Sequence, residues 1–178
     1  MLVSEPIPAK TPVGILGTLG AWHRRASAYG LQEVEAIVRA WAPDLLCAEI
    51  NQADWEAGRV AALPVEYREC LLPVCRELGV VLVPVGDHWH APPSPLRLAL
   101  PLGAGPRWIN SAEADRCHCL WAHLWPGSQR ANRELVENIL QAVRRDPGRR
   151  VLVIVRVERR YAVVQRLCQT DEVRLVPV

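Results

Sequence analysis

Short, wholly apolar runs alternate along this chain with longer amphipathic stretches, and that alternation limits the fold more than any other feature. Residues 13–19 (VGILGTL) read as a first strand. Leu31, Val34, Val38 and Trp41 then recur at helical spacing, which predicts a helix over 27–41, stopped by Pro43. Residues 44–50 (DLLCAEI) form a second apolar run that ends in a carboxylate. A helix from about Leu63-Pro64 carries Tyr67, Cys70, Leu71, Val74, Cys75 and Leu78 on one stripe. Pro73 lies inside it and predicts a kink, because proline cannot donate to the carbonyl of Glu69. Gly79 ends that helix, and residues 80–85 are a third strand. Beyond a proline-rich stretch come a helix over 129–145, a strand over 151–157, a short helix over 160–169 and a last strand over 173–178.

Strands that are apolar at every position are buried on both faces. Strand–helix–strand succession implies right-handed crossovers and a parallel sheet. The expectation is a single three-layer α/β domain over residues 1–178, with a mostly parallel sheet of about five strands and helices on both faces.

Composition narrows the function classes. The formal net charge of +2 argues against a dedicated nucleic-acid binder, which needs a basic excess or stripe. No apolar run approaches the length of a membrane helix, and the first residues lack the basic region and apolar core of a secretory signal. A cytoplasmic protein with its six cysteines as thiols is expected. Five prolines and two glycines between Ala91 and Pro106 predict a long loop or arm at about 91–110, and a helix over 111–125 follows. Trp121 and Trp125 are four apart there; exposed, they would mark a homodimer interface.

In an open parallel sheet, ligands bind outside the carboxyl ends of the strands. Trp22 and His23 follow strand one, and Glu49 and Asn51 end strand two. Asp87, His88 and His90 follow strand three; Glu158 and Arg159 follow strand four. Imidazoles and carboxylates suit a divalent metal, so His23, Glu49, Asp87 and His88 are candidate ligands. Without metal, His23 is a candidate general base oriented by Glu49, with Asp87 as the third catalytic candidate. Trp22, Asn51, His88, His90, Glu158 and Arg159 are candidate ligand contacts, Arg159 offering a planar fork to an anionic group. Each has a structural alternative: Glu49 caps a neighbouring helix or pairs with an arginine, and the tryptophans pack.

The segment Gly14-Ile15-Leu16-Gly17-Thr18-Leu19-Gly20-Ala21-Trp22-His23 resembles the opening strand and loop of the TraB/PrgY, ChaN-like and Tiki superfamily, whose members typically read LGTxH. Trp41-Ala42-Pro43-Asp44-Leu45-Leu46-Cys47-Ala48-Glu49-Ile50 is similar to its second strand, and Glu49 matches the family acid. The resemblance implies an α/β fold with a site made by two GxxH-type motifs and that acid. It further implies metal-dependent hydrolysis, as in the Tiki branch, or haem binding, as in ChaN. Gly20 stands at the first histidine position, although Gly20-Ala21-Trp22-His23 keeps a literal GxxH; Arg156 and Arg159 stand for the glycine and histidine of the second motif. Arginine is not a metal ligand. Two readings follow: a divergent hydrolase with a divalent metal, acting on a peptide or small anionic substrate, or an inactive ligand-binding or dimeric scaffold that has lost the metal or haem site.

Two further motifs carry less. Cys117-His118-Cys119 with His123 has zinc-ligand residue types but no partner pair of cysteines at ligand spacing, so buried thiols are expected. Gly14, Gly17 and Gly20 give GxxGxxG, not the dinucleotide fingerprint.

Overall fold

The structure is a computed structural model and describes residues 10–26, 28–87, 105–116 and 127–178. Five strands, β1 (Thr11–Thr18), β2 (Leu45–Asn51), β3 (Val81–Gly86), β4 (Val151–Arg156) and β5 (Val173–Leu175), form one parallel sheet in the order β3-β2-β4-β1-β5. The α-helices bounded within the described residues are α1 (Leu31–Trp41), α2 (Gln52–Glu56), α3 (Leu72–Leu78), α4 (Pro106–Ile109), α5 (Ser128–Arg145) and α6 (Val157–Leu167), and residues 112–116 of the helix expected over 111–125 are helical.

Alternation along the strands explains the three layers. Leu46 and Ala48 of β2, with Leu152 and Ile154 of β4, pack with residues of α1 and α3. Their neighbours Leu45, Cys47, Val151, Val153 and Val155 pack with Leu135, Ile139 and Val143 of α5 and with Val163 and Leu167 of α6. Successive side chains point to opposite faces, so a strand covered on both sides must be apolar throughout. Direction of travel explains which helix covers which face. The chain moves from β1 past β4 to β2 and β3, then returns to β4 and crosses β1 to β5. Reversing direction under right-handed crossovers sends the later helices to the opposite face.

Local corrections have physical causes. A π-helical turn, Tyr67–Leu71, precedes α3 and leads directly into Pro73. The wider turn absorbs the missing donor, where a kinked α-helix was expected. The first helix starts at Leu31 rather than 27, where the Glu33 carboxylate accepts from the Gly30 amide at 2.8 Å. The helix expected over 160–169 begins at Val157, directly after β4. The last strand is short, Val173–Leu175, and its pairing with β1 ends where the Val176 amide donates to the Val13 carbonyl at 2.9 Å. Within the expected 91–110 arm, Pro106–Ile109 is helical and residues 91–104 lie outside the described set. No helix among the described residues is long and apolar enough to cross a membrane. Cys47, Cys70 and Cys75 are buried thiols; burial pushes them up to about 12, 12 and 11.

Candidate functional site

Three strand ends meet at one edge of the sheet. β2 brings Glu49 and Asn51, β3 brings Asp87 just past Gly86, and β4 runs without a loop into α6, bringing Arg156 and Arg159. Gly86 makes this convergence possible. The register between β2 and β3 shifts between Ala48 and Asn51, and a Cβ at Gly86 would lie 2.8 Å from the backbone N, C and O of Ile50. Only glycine lets the two backbones come that close.

At the centre is Arg159, almost wholly buried at 1% exposure. Its Nε donates to Asn132 Oδ1 at 2.8 Å. Nη1 donates to Glu49 Oε1 and Asp87 Oδ1, each at 3.2 Å. Nη2 donates to Asp87 Oδ2 at 3.1 Å and to the Ala131 carbonyl at 2.8 Å. A guanidinium has five N–H donors, so these contacts engage all of them. Glu49 Oε2 accepts from the backbone amide of Arg156, the N-cap residue of α6, at 2.7 Å. The α6 dipole favours a carboxylate there. Glu49 therefore caps a helix and pairs with an arginine at once.

This geometry corrects two expectations. Arg159 cannot offer its fork to an anionic ligand, because its donors already serve the protein. His23 is not placed to act as a base beside Glu49. It is buried, the Leu19 amide donates to its Nε2 at 2.9 Å, and its Nδ1 lies 2.8 Å from the Tyr29 carbonyl. That pairing fixes the neutral tautomer with the proton on Nδ1, donated to Tyr29, and leaves the Nε2 lone pair occupied. His23 braces the turn after β1, edge-on to Tyr29 with ring centroids 4.9 Å apart.

The other candidates are placed as follows. Trp22 is half-buried, with the Arg25 guanidinium 5.6 Å from its ring centroid, and lines a shallow surface hollow with Ala21, Arg24 and Arg25. Asn51 Oδ1 accepts the Asp54 amide at 3.2 Å and so caps α2. Glu158 is buried in the first turn of α6. His88 and His90 lie outside the described residues, as do Cys117, His118, Cys119, Trp121, His123 and Trp125. Among the described residues, no three His, Cys, Asp or Glu side chains are grouped to hold a metal ion.

Beside the arginine network opens a cavity of about 160 Å³, lined in part by Glu49, Asp54, Glu66, Tyr67, Asp87 and Arg156. Glu66 is its unexpected member. It is fully buried; Thr18 Oγ1 donates to its Oε1 at 3.2 Å, while its Oε2 has no hydrogen-bond partner. Burial raises its carboxyl above the ordinary range and the charge of Glu49 adds to this, while the Glu66 backbone, Thr18 and Arg156 pull the other way. Tyr67 accepts the Glu49 amide at 3.0 Å and donates to the Ile154 carbonyl at 3.2 Å, pinning β2 to β4. The sequence held a signal for Glu66: it precedes Cys70 by four residues and Val74 by eight, on the buried side of its helix.

No model of a known protein family matches the chain, no curated protein matches it, and no solved structure matches it.

Proposed function

We propose that this chain is a ligand-binding α/β protein in which its own arginine, rather than a metal, neutralises the acid pair at the strand edge. The observation that carries the reading is the saturated Arg159 guanidinium, which takes both oxygens of Asp87 and one of Glu49. A metal-dependent hydrolase needs carboxylate lone pairs turned toward an open coordination position. Here those lone pairs face a buried cation and a helix amide. The resemblance to the TraB/PrgY, ChaN-like and Tiki superfamily supports the same conclusion, since Arg159 stands where the second motif would place its histidine. On this reading the fold retains a polar cavity for a small molecule or a peptide side chain and lacks the family's metal or haem chemistry.

The test is metal content. Protein purified without an affinity tag, then titrated with Zn²⁺, Mn²⁺ and haemin, is expected to hold none of them stoichiometrically. One equivalent of metal or haem retained by the native chain and lost in Glu49→Ala would overturn the proposal and restore the hydrolase reading.

A further inference from the structure

β3 is an edge strand, because the sheet runs β3-β2-β4-β1-β5. Its pairing with β2 fixes which of its backbone groups stay free. The Val81 amide donates to the Asp44 carbonyl, and alternate residues of a parallel strand turn to the same side. Val81 and Val83 therefore spend their N–H and C=O groups on β2, while Leu82 and Pro84 turn theirs outward. Leu82 offers one donor and one acceptor there, and Pro84 only a carbonyl. The side chains alternate as well: Val83 and Val85 pack toward α5, and Val80 and Leu82 toward α1 and α3.

Exposed edge strands are usually blunted by charges, or covered by another element. Residues 80–86 read VVLVPVG, with Pro84 as the sole guard and no charge, and Val81 is 48% exposed. Along the edge runs a groove of about 440 Å³, lined by residues 81–84 and, from α5, by Gln141, Ala142 and Arg145. Arg145 pairs with Asp146 at 3.8 Å, so no net charge opposes an apolar occupant.

We propose that β3 pairs with β3 of a second copy of this chain, antiparallel about a two-fold axis at Leu82, which joins the two sheets into one. The donor inventory selects this occupant. At the axis, Leu82 and the partner's Leu82 exchange both N–H···O bonds. The next bonding position on either side sets Pro84 against the partner's Val80. Pro84 has no amide hydrogen, and the Val80 amide already donates to the Cys75 carbonyl at 2.9 Å. A second copy therefore brings no backbone donor that the pairing would strand. On the α5 face, Val81 lies opposite the partner's Val83, a β-branched pair repeated on both sides of the axis. The helices fit too. α5 packs on both β3 and β2, and neighbouring strands lie about 4.8 Å apart. Two such helices related by the axis come to roughly 10 Å, a helix-packing distance. One short strand pair buries little area, so the dimer belongs with the weak interfaces below about 1,200 Å² and dissociates in the micromolar range.

Sedimentation equilibrium on the full chain, from low-micromolar to sub-millimolar concentration, tests the dimer, and hydrogen exchange at the two extremes tests its location. Expected is a monomer–dimer equilibrium. The Leu82 amide should exchange freely in the monomer and be protected in the dimer, whereas the Val83 amide, bonded to β2, should be protected in both. Val81→Lys sets a charge against the partner's Val83 at a position already exposed in the monomer, and should weaken the dimer about tenfold or more. Val60→Lys, at a 43% exposed valine outside the groove, should leave it unchanged. A chain that is monomeric throughout, a dimer indifferent to Val81→Lys, or a dimer in which Leu82 exchange does not change with concentration would overturn the proposal. Species that grow beyond two copies would overturn it as well, since an isologous two-fold interface closes at the dimer.

Discussion

Replacing Arg159 by glutamine removes one cation from between two carboxylates whose side chains are only 7% and 10% exposed. Breaking a buried pair from one side typically costs about 3–5 kcal/mol, because the remaining charge is stranded. Domains of this size hold about 5–15 kcal/mol in total, so the variant should remain folded but lie close to the threshold. At about 2–4 °C per kcal/mol, melting should fall by roughly 6–20 °C. The two carboxylates are not equivalent. Glu49 keeps the Arg156 amide and has the Arg156 Nε at 3.7 Å, whereas Asp87 places both oxygens on Arg159. Adding Asp87→Asn or Glu49→Gln to Arg159→Gln should recover part of the loss by removing a stranded charge. Urea denaturation followed by circular dichroism measures all four proteins, with unchanged m-values confirming that only stability has moved. A loss below about 1 kcal/mol, the size of an exposed ion pair, or no recovery by either second-site change, would refute the reasoning.

Three further outcomes follow from the same geometry. Gly86→Ala drives a Cβ into the backbone of Ile50 and should cost about 1–3 kcal/mol, as overpacking does, measured as a drop in urea midpoint. His23→Leu strands the Leu19 amide and the Tyr29 carbonyl at about 1–3 kcal/mol for each group, and it should leave ligand binding at the Glu49 cavity in place, measured by calorimetry. Glu66 has a folded pKa raised above its unfolded value of about 4.3, so the folded state binds its proton more tightly and stability is lost as pH rises through the folded pKa. Glu66→Gln should be free of that loss, and urea midpoints of the two proteins should diverge with rising pH; parallel profiles would contradict it.

The fold was legible because its signals are local. Apolar runs of strand length, helical stripes and the terminators Pro43 and Gly79 sit within a few residues of what they specify. The start of α6 was not legible for the opposite reason. Val157 continues the apolar run of β4, and the carboxylate that caps the helix comes from Glu49, 107 positions earlier. The strand-end rule located Glu49, Asn51, Asp87 and Arg159 at one edge, since it needs topology and no side-chain detail. Their roles needed partners. His23 follows its strand end like a catalytic residue, yet both ring nitrogens turn to the backbone. Arg159 has the chemistry of an anion clamp, yet two strands deliver the acids that occupy it. Glu66 was hidden by its neighbours, because a carboxylate within a buried stripe is outweighed by the apolar residues around it.

The arginine network is better understood as architecture for the cavity than as a source of stability. A buried ion pair seldom outperforms well-packed apolar residues of the same volume. What apolar residues cannot do is hold β2, β3 and the α6 start at fixed distances through bonds of defined direction. Arg159 ties Asp87 of β3 to Glu49 of β2 and to Asn132 and Ala131 of α5, and two of these groups, Asp87 and Glu49, are walls of the cavity. That part of the wall is thereby fixed and electrically balanced, while Glu66 stays enclosed with one oxygen unpartnered. The network acts on binding by holding the cavity's shape. A ligand bound in the cavity should therefore protect against urea less in Arg159→Gln than in the native chain, because the wall formed by Glu49 and Asp87 is no longer held.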